Sequence, residues 1–180
     1  MSVKTHDGDS ITLTNAVAAQ AAVIENLLQL YTHDFSEFWA GTSRGDLNAL
    51  GLFEAYPLEG YWSRRGWSAQ LIWCNGALAG FSLVNDQTHS GIAADRNMGE
   101  FFIVRKYRGR GIGRGAAAAL FSQHPGLWEV AVARNNTRAQ KFWCAIIRAS
   151  GKATAIQELD LRNAQWDGPI LRFDWSGCGN

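Results

Sequence analysis

The stretch "VRKYRGRGIGRGAAAALF", residues 104 to 121, decides how this chain is read. A strand-like run ends in a burst of cations, Arg105, Lys106, Arg108 and Arg110. Glycines alternate at Gly109, Gly111, Gly113 and Gly115, and the alanines that follow read as helix. A helix start leaves several backbone N–H groups unpaired and carries partial positive charge. Glycines let that backbone approach an anion closely, so the two features together make a phosphate site without any side chain. The arginines add charge, and their planar fork suits phosphate oxygens. The pattern predicts an anion held between a strand and a helix.

The elements around this loop follow from hydrophobic periodicity and turn residues. "MGEFFIVR" before it reads as a buried strand, and "GRGAAAALFSQH" as a helix ended by Pro125-Gly126. "LWEVAVA" is the next strand. "NTRAQKFWCAIIRAS" is a second helix, capped by Asn135 or Asn136 and stopped near Gly151. "ATAIQELDL" and "GPILRFDW" close the chain as two strands. Upstream, "WSAQLIWCNGALAGFSLVN" is a hairpin, because Asn75-Gly76 is the favoured pair for a two-residue turn with positive φ at both positions. "SITLT" alternates as a short strand, Asn15 reads as a cap, and "AVAAQAAVIENLLQLYTHDF" repeats apolar residues at helical spacing. From about Ser36 to Trp67 the pattern breaks down, with "FSEFW" and "DLNALGLF" as short helical turns in a long irregular connection. Long loops of that kind are often functional. The order gives an α/β (α+β) fold, a mixed and largely antiparallel sheet flanked by helices. The unit from about Glu100 to Val132 is expected to cross over and lie parallel.

Length and composition set the outer bounds. The chain has 180 residues, 47% hydrophobic and 18% charged, which predicts one domain over 1–180. A formal net charge of +1 gives no bulk field for nucleic acid or an anionic membrane, so the arginines are a local feature. Cys74, Cys144 and Cys178 have no metal-ligand spacing and are odd in number, which fits a reducing compartment, no metal and a cytoplasmic location. His6, His89 and His124 read as surface residues, and His33 as an exposed helix-end histidine or a proton relay. Trp39, Trp62 and Trp67 fall in the irregular segment, where aromatic rings line a pocket or plug a small core.

Two nucleotide motifs fail on this loop. A P-loop would need a Gly-Lys-Ser/Thr ending, which is missing. A dinucleotide fingerprint can be forced onto "GIGRGA", but "RKYR" separates it from the strand. Glu129, at a suitable distance for the ribose, opens the next strand instead of closing it. The third motif fits. Arg108-Gly109-Arg110-Gly111-Ile112-Gly113 is an R-x-x-G-x-G match preceded by Tyr107. It resembles motif A of the GNAT superfamily of N-acetyltransferases, which grips the pyrophosphate of coenzyme A. "NNTRAQKFW" is similar to the later N-x-x-A-x-x-x-Y signature, with Asn136 and Ala139 at matching positions and Trp143 where the family has tyrosine. These specific motifs cover about Glu100 to Trp143, and the N-terminal half matches only in layout.

The resemblance implies a role for each piece. N–H groups from about Arg108 to Arg114 (Arg108, Gly109, Arg110, Gly111, Ile112, Gly113, Arg114) would hold the pyrophosphate. The strand "FFIV" would splay from "WEVAV", and the gap would take the pantetheine arm. Backbone at Phe102, Ile103 and Val104 would pair with that arm, with one N–H aimed at the thioester oxygen. Asn136 would contact the cofactor from the second helix. Acetyl transfer needs a neutral amine, and a lysine-like amine near pKa ~10 is mostly protonated at neutral pH. Glu100, at the start of the cofactor strand, is the candidate base. Asp34 and Glu37 fall where the family builds its acceptor pocket and would recognise a cationic acceptor, with Trp62, Tyr61, Phe53 and Trp39 shaping the walls. Trp143 departs from the pattern: an indole donates a hydrogen bond but does not give up a proton. Another group would protonate the leaving thiolate, or none is needed, since a thiol near pKa ~8.5 leaves tolerably unassisted.

The function expected is acetyl-CoA-dependent transfer of an acetyl group directly to a primary amine of a small molecule or a protein. The competing expectation is a non-catalytic acyl-CoA-binding or sensor domain on the same fold, motivated by Trp143. No nucleic-acid or membrane partner is expected, and the chain would act as a monomer or homodimer.

Overall fold

The computed structural model describes residues 2–5 and 8–176. His6 and Cys178 lie outside the described residues. The strands are β1 (Ser2–Lys4), β2 (Ser10–Asn15), β3 (Ser68–Cys74), β4 (Ala77–Asn85), β5 (Arg96–Ile103), β6 (Gly126–Ala131), β7 (Ala153–Arg162) and β8 (Asp167–Trp175). The helices are α1 (Ala21–Ser36), α2 (Glu59–Ser63), α3 (Ile112–Gln123) and α4 (Thr137–Ala149). All eight strands join one sheet in the order β1-β2-β3-β4-β5-β6-β8-β7. Among the described residues its only parallel pair is β5 with β6, across the α3 crossover.

Strand alternation divides the core into two layers. Leu71, Phe81, Leu83 and Phe102 point to the face covered by α1, where Ile24, Leu27 and Leu28 meet them. Ile72, Val84, Met98 and Ile103 point to the other face, under Ala116, Leu120 and Phe121 of α3 and Trp143, Ile146 and Ile147 of α4. The α3 backbone comes close enough to the sheet that a Cβ on Gly115 would lie 2.4 Å from Ile11 Cδ1.

The Asn75-Gly76 turn forms as its sequence predicts, with φ of 50° and 80°. Three local expectations are corrected. Asn15 ends β2 rather than capping a helix, and α1 begins after a 3-10 turn at Ala18–Gln20 whose N-cap is Val17. "DLNALGLF" contains no helix, whereas Glu59–Ser63, with no periodic signal, forms α2. His89 and His124 are half-buried rather than superficial, the former with its ring 4.2 Å from that of Trp166.

Two irregularities shape the middle of the sheet. β5 pairs with β4 from Asn97 to Ile103, but with β6 only at Arg96↔Trp128 and Asn97↔Glu129. From Met98 onward the two strands part. The β4–β5 register also shifts between Leu83 and Val84, opposite Glu100 and Met98, so Gly99 is the extra residue of a bulge. A Cβ on Gly99 would come 2.8 Å from Asn85 Nδ2, so a side chain here would have to push that amide aside. The bulge sets the face on which Glu100 emerges.

Candidate active site

The loop between β5 and α3 combines positive-φ glycines with a helix start. Gly109 (φ 78°) and Gly111 (φ 75°) turn the chain, and Gly111 is the N-cap of α3. The Arg108 N–H donates to the Arg105 carbonyl at 3.1 Å, and the Gly115 N–H to the Gly111 carbonyl at 2.9 Å. Among the described residues, the N–H groups from Gly109 to Arg114 find no protein acceptor. That is an anion cradle made of backbone, and it fits a pyrophosphate. The space a Cβ would take at Gly109 is open.

The arginine side chains do something other than expected. Arg105 Nε and Arg108 Nη2 both donate to the Asp34 carboxylate, and Arg110 Nη2 donates to both oxygens of Asp9 at 2.8 and 2.9 Å. Arg108 Nε also caps the Ile103 carbonyl at 2.6 Å. The guanidinium groups thus fasten the loop to α1 and to the β1–β2 turn. Burial raises the Asp34 carboxyl, but the hydrogen bonds from Arg105 and Arg108 outweigh it and hold it below the usual carboxylate range. Glu37 is exposed, and its charge acts on Arg105. Of the two acids of "THDFSEF", Asp34 is thus taken up by the arginines.

The gap between β5 and β6 offers backbone to a ligand. The Val104 N–H donates to the Ala79 carbonyl at 2.8 Å, so it faces β4. By antiparallel alternation Phe102 faces the same way, and Phe101 and Ile103 turn their N–H groups toward the gap. Of the three positions Phe102, Ile103 and Val104, Ile103 alone keeps a free aim, and Phe101 joins it. On the far side, Asn136 caps α4 by accepting the Ala139 N–H at 3.0 Å. Trp143 is buried against Phe101, Phe121 and Phe142.

Glu100 sits on the α1 side, beside the opening of the gap. Its carboxylate accepts the Tyr56 hydroxyl at 2.9 Å, and the Tyr31 hydroxyl approaches from α1. Burial pushes the Glu100 carboxyl up to about 7, against the pull of the two tyrosine hydroxyls and the Arg44 charge. Burial also raises Tyr31 and Tyr56 well above the usual phenol range, so both stay protonated donors. A carboxylate poised near neutrality is suited to taking a proton from an amine.

The wall around Glu100 comes from the irregular segment. Phe53 is tied to α1 by a reciprocal pair, its N–H to Gln29 Oε1 at 2.8 Å and its carbonyl to Gln29 Nε2 at 3.3 Å. That pair positions Tyr56 three residues later. Trp62 packs half-buried against the α1-side core, and Tyr61 accepts the Asn85 side-chain amide at 2.9 Å. Trp39 lies 5.6 Å from Phe35, which lies 5.0 Å from Tyr31. Tyr31, Tyr56 and Arg44 were missed by sequence reasoning. The only available signal for Tyr31 was its helical spacing with Leu27, which reads as core.

The sequence model of the Acetyltransferase (GNAT) family matches residues 24–145. The chain belongs to this acetyltransferase family. Among curated proteins no match is found. Among solved structures, the GNAT fold recurs at low identity. An acetyltransferase from Thermus thermophilus superposes with TM-score 0.60 at 14% identity, covering 97% of this chain and 98% of its own. The GNAT domain of S. lividans PAT gives 0.58 at 12%, covering 97% and 95%. YncA, a putative acetyltransferase from Salmonella typhimurium solved with its cofactor acetyl-CoA, gives 0.51 at 15%, covering 94% and 95%. GNAT acetyltransferases use acetyl-CoA, and the cradle at Gly109 to Arg114 with the parted β5 and β6 suits it. Among the described residues no helix is long and apolar enough to cross a membrane, and no group of three His, Cys, Asp or Glu is placed to hold a metal ion.

Proposed function

We propose that this GNAT protein is an N-acetyltransferase that moves an acetyl group from acetyl-CoA directly to a primary amine, with Glu100 as general base. The observation that carries the proposal is the placement of Glu100 on β5 at the mouth of the gap, where its carboxylate accepts the Tyr56 hydroxyl at 2.9 Å and burial pushes it up to about 7. The donor, when bound, supplies an acetyl thioester activated toward an amine. The N–H groups from Gly109 to Arg114 would hold its pyrophosphate, and the Ile103 N–H, turned toward the gap, would donate to the acetyl oxygen. Glu100 Oε accepts a proton from the acceptor nitrogen, so that a neutral amine attacks. Tyr31 and Tyr56 steady the ionised carboxylate by donating to it. Trp143, an indole, would give no proton, and the thiolate of a thiol near pKa ~8.5 would be able to leave without one. Asp34 acts here as the anchor of Arg105 and Arg108 rather than as a contact of the acceptor, and Trp62 supports the pocket wall from α2. The site works in a cytoplasmic setting where acetyl-CoA and amines meet.

The experiment is thermal unfolding with acetyl-CoA, coenzyme A and NADH in parallel, followed by thiol release with a panel of amines. A ligand at a hundred times its dissociation constant adds about 2.7 kcal/mol, roughly 5–10 °C for a chain of this size. A shift with the two coenzyme A compounds alone, and thiol release that depends on an amine, are the expected results. A shift without thiol release from any amine would favour the acyl-CoA sensor instead.

A further inference from the structure

The acceptor side of the site holds a cation with no carboxylate partner. Asp34 is occupied by Arg105 and Arg108, and Glu37 acts on Arg105. Arg44 has no ion-pair partner among the described residues. Its guanidinium lies on the Trp39 ring, with Cζ 4.4 Å from the centroid.

That placement is built. The Thr42 N–H and hydroxyl both donate to the Trp39 carbonyl, at 3.1 and 2.8 Å, and the Arg44 N–H donates to Thr42 Oγ1 at 3.3 Å. Gly45 (φ 78°) lies so close to the indole that a Cβ would meet Trp39 Cε3 at 2.6 Å. The turn is thus folded onto Trp39 and presents Arg44 on it. From Trp39 the rings of Phe35 and Tyr31 lead in steps of 5.6 and 5.0 Å to the Glu100 carboxylate. Arg44 is also the charged side chain whose field reaches Glu100, and it acts on Tyr31 and Tyr56 as well.

A cation on the same side of the site, stacked on Trp39 and separated from Glu100 by the rings of Phe35 and Tyr31, is unfavourable for an acceptor that carries only positive charge, and it attracts one that also carries negative charge. We propose that the acceptor is an amine that also bears a carboxylate, and that Arg44, stacked on Trp39, binds that carboxylate while the amine faces Glu100. This proposal differs from the expectation that Asp34 and Glu37 would recognise a cationic acceptor. A guanidinium braced on an aromatic face keeps its edge donors free for a bidentate carboxylate contact.

The proposal rests on the transferase reading of the same site, and the test separates the two. Glycine, β-alanine and γ-aminobutyrate are each compared with their carboxamides. Thiol release gives kcat/KM, and calorimetry on protein saturated with coenzyme A gives acceptor binding without chemistry. At least one acid is expected to exceed its amide by about ten- to a hundredfold in both readouts, the range of a charge-assisted hydrogen bond. In Arg44→Gln the acid-to-amide ratio is expected to fall near one, mainly through KM, and Arg44→Lys should recover part of it. Equal binding of acid and amide, a preference that survives Arg44→Gln, or no binding of any acid would overturn the proposal. Selective, Arg44-dependent binding of an acid without thiol release would uphold this site and sink the transferase reading.

Discussion

Glu100 and Glu129 stand on adjacent strands, β5 and β6, and are the two carboxylates closest to the middle of the sheet. Their surroundings differ in kind. Glu129 is fully buried and fully satisfied. Its oxygens accept the His89 and Ser90 N–H groups at 2.6 and 3.1 Å, the Ser90 hydroxyl, and Arg172 Nη1 at 2.7 Å. Arg172 in turn donates to the Ile92 and Ala93 carbonyls, so the pair fastens the β4–β5 loop to β6 and β8. Glu100 has tyrosine hydroxyls but no cation in contact, and burial leaves it near neutrality. Burial alone therefore does not decide how a carboxylate is held. Around Glu129 a guanidinium compensates the charge, and around Glu100, which is only half-buried, no cation in contact does.

The same substitution at the two positions should act in opposite ways. Glu100→Gln is expected to lower kcat by about 10²–10⁴, the usual contribution of a general base, with the dissociation constant of coenzyme A unchanged by calorimetry. Retention of kcat would remove Glu100 as the base. Glu129→Gln leaves Arg172 buried without its counter-ion. It should cost about 3–5 kcal/mol, roughly 6–20 °C in Tm, and only the fraction of folded protein should limit activity. A Tm within 2 °C or so of wild type would mean that the loop is fastened by its backbone bonds alone.

Stability against pH sharpens the contrast. The folded Glu100 carboxyl titrates at about 7, above its ordinary 4.5. Between those values the folded chain binds more protons at this site than the unfolded chain, so stability falls as pH rises through the window. Glutamine has no such dependence. Glu100→Gln should therefore match wild type in Tm near pH 4.5 and exceed it at pH 8, a gain obtained at the expense of turnover. A variant less stable than wild type at pH 8 would contradict the burial of an uncompensated charge.

The origin of Glu100's partners explains what could be read from the sequence. The anion cradle was legible because its determinants are local: glycines at fixed offsets, a strand before and a helix after. So was the Asn75-Gly76 hairpin, whose two turn residues carry the positive φ that their sequence predicts. Tyr56 was not legible, since one exchange of hydrogen bonds between Gln29 and Phe53 fixes its segment, with no repeating pattern to announce it. The Glu129–Arg172 pair joins residues 43 apart in sequence. The arginines of the loop were legible as charge but not as ion pairs, because Asp9 and Asp34 reach them from other elements.

The tyrosine donors give a subtler test of why Glu100 stays available. With Glu100 ionised as base, kcat/KM should rise with pH along an acid limb centred near 7. The Tyr56 hydroxyl donates to the carboxylate and favours its ionised form. Tyr56→Phe removes that donor while keeping the ring, so the limb should move to higher pH with the plateau largely retained. A limb that stays in place would mean that Tyr56 shapes the acceptor pocket without tuning the base.

Asn136 carries the smallest expected effect, and it asks the same question of a motif residue. Its Oδ1 is spent on the Ala139 N–H, as Glu129's oxygens are spent on their partners. Asn136→Ala should then cost about 1 kcal/mol, roughly 2–4 °C in Tm, and leave the coenzyme A dissociation constant within about twofold (0.4 kcal/mol). The capping bond does not engage the side-chain NH2 group, which could still donate to a ligand crossing the start of α4. A tenfold weaker grip on coenzyme A in Asn136→Ala would therefore show that one amide serves both helix and cofactor. The Asn136→Asp variant separates the two duties, because a carboxylate still caps the helix but offers no donor. Its Tm should follow wild type, and its affinity should follow alanine only if the contact with coenzyme A is real.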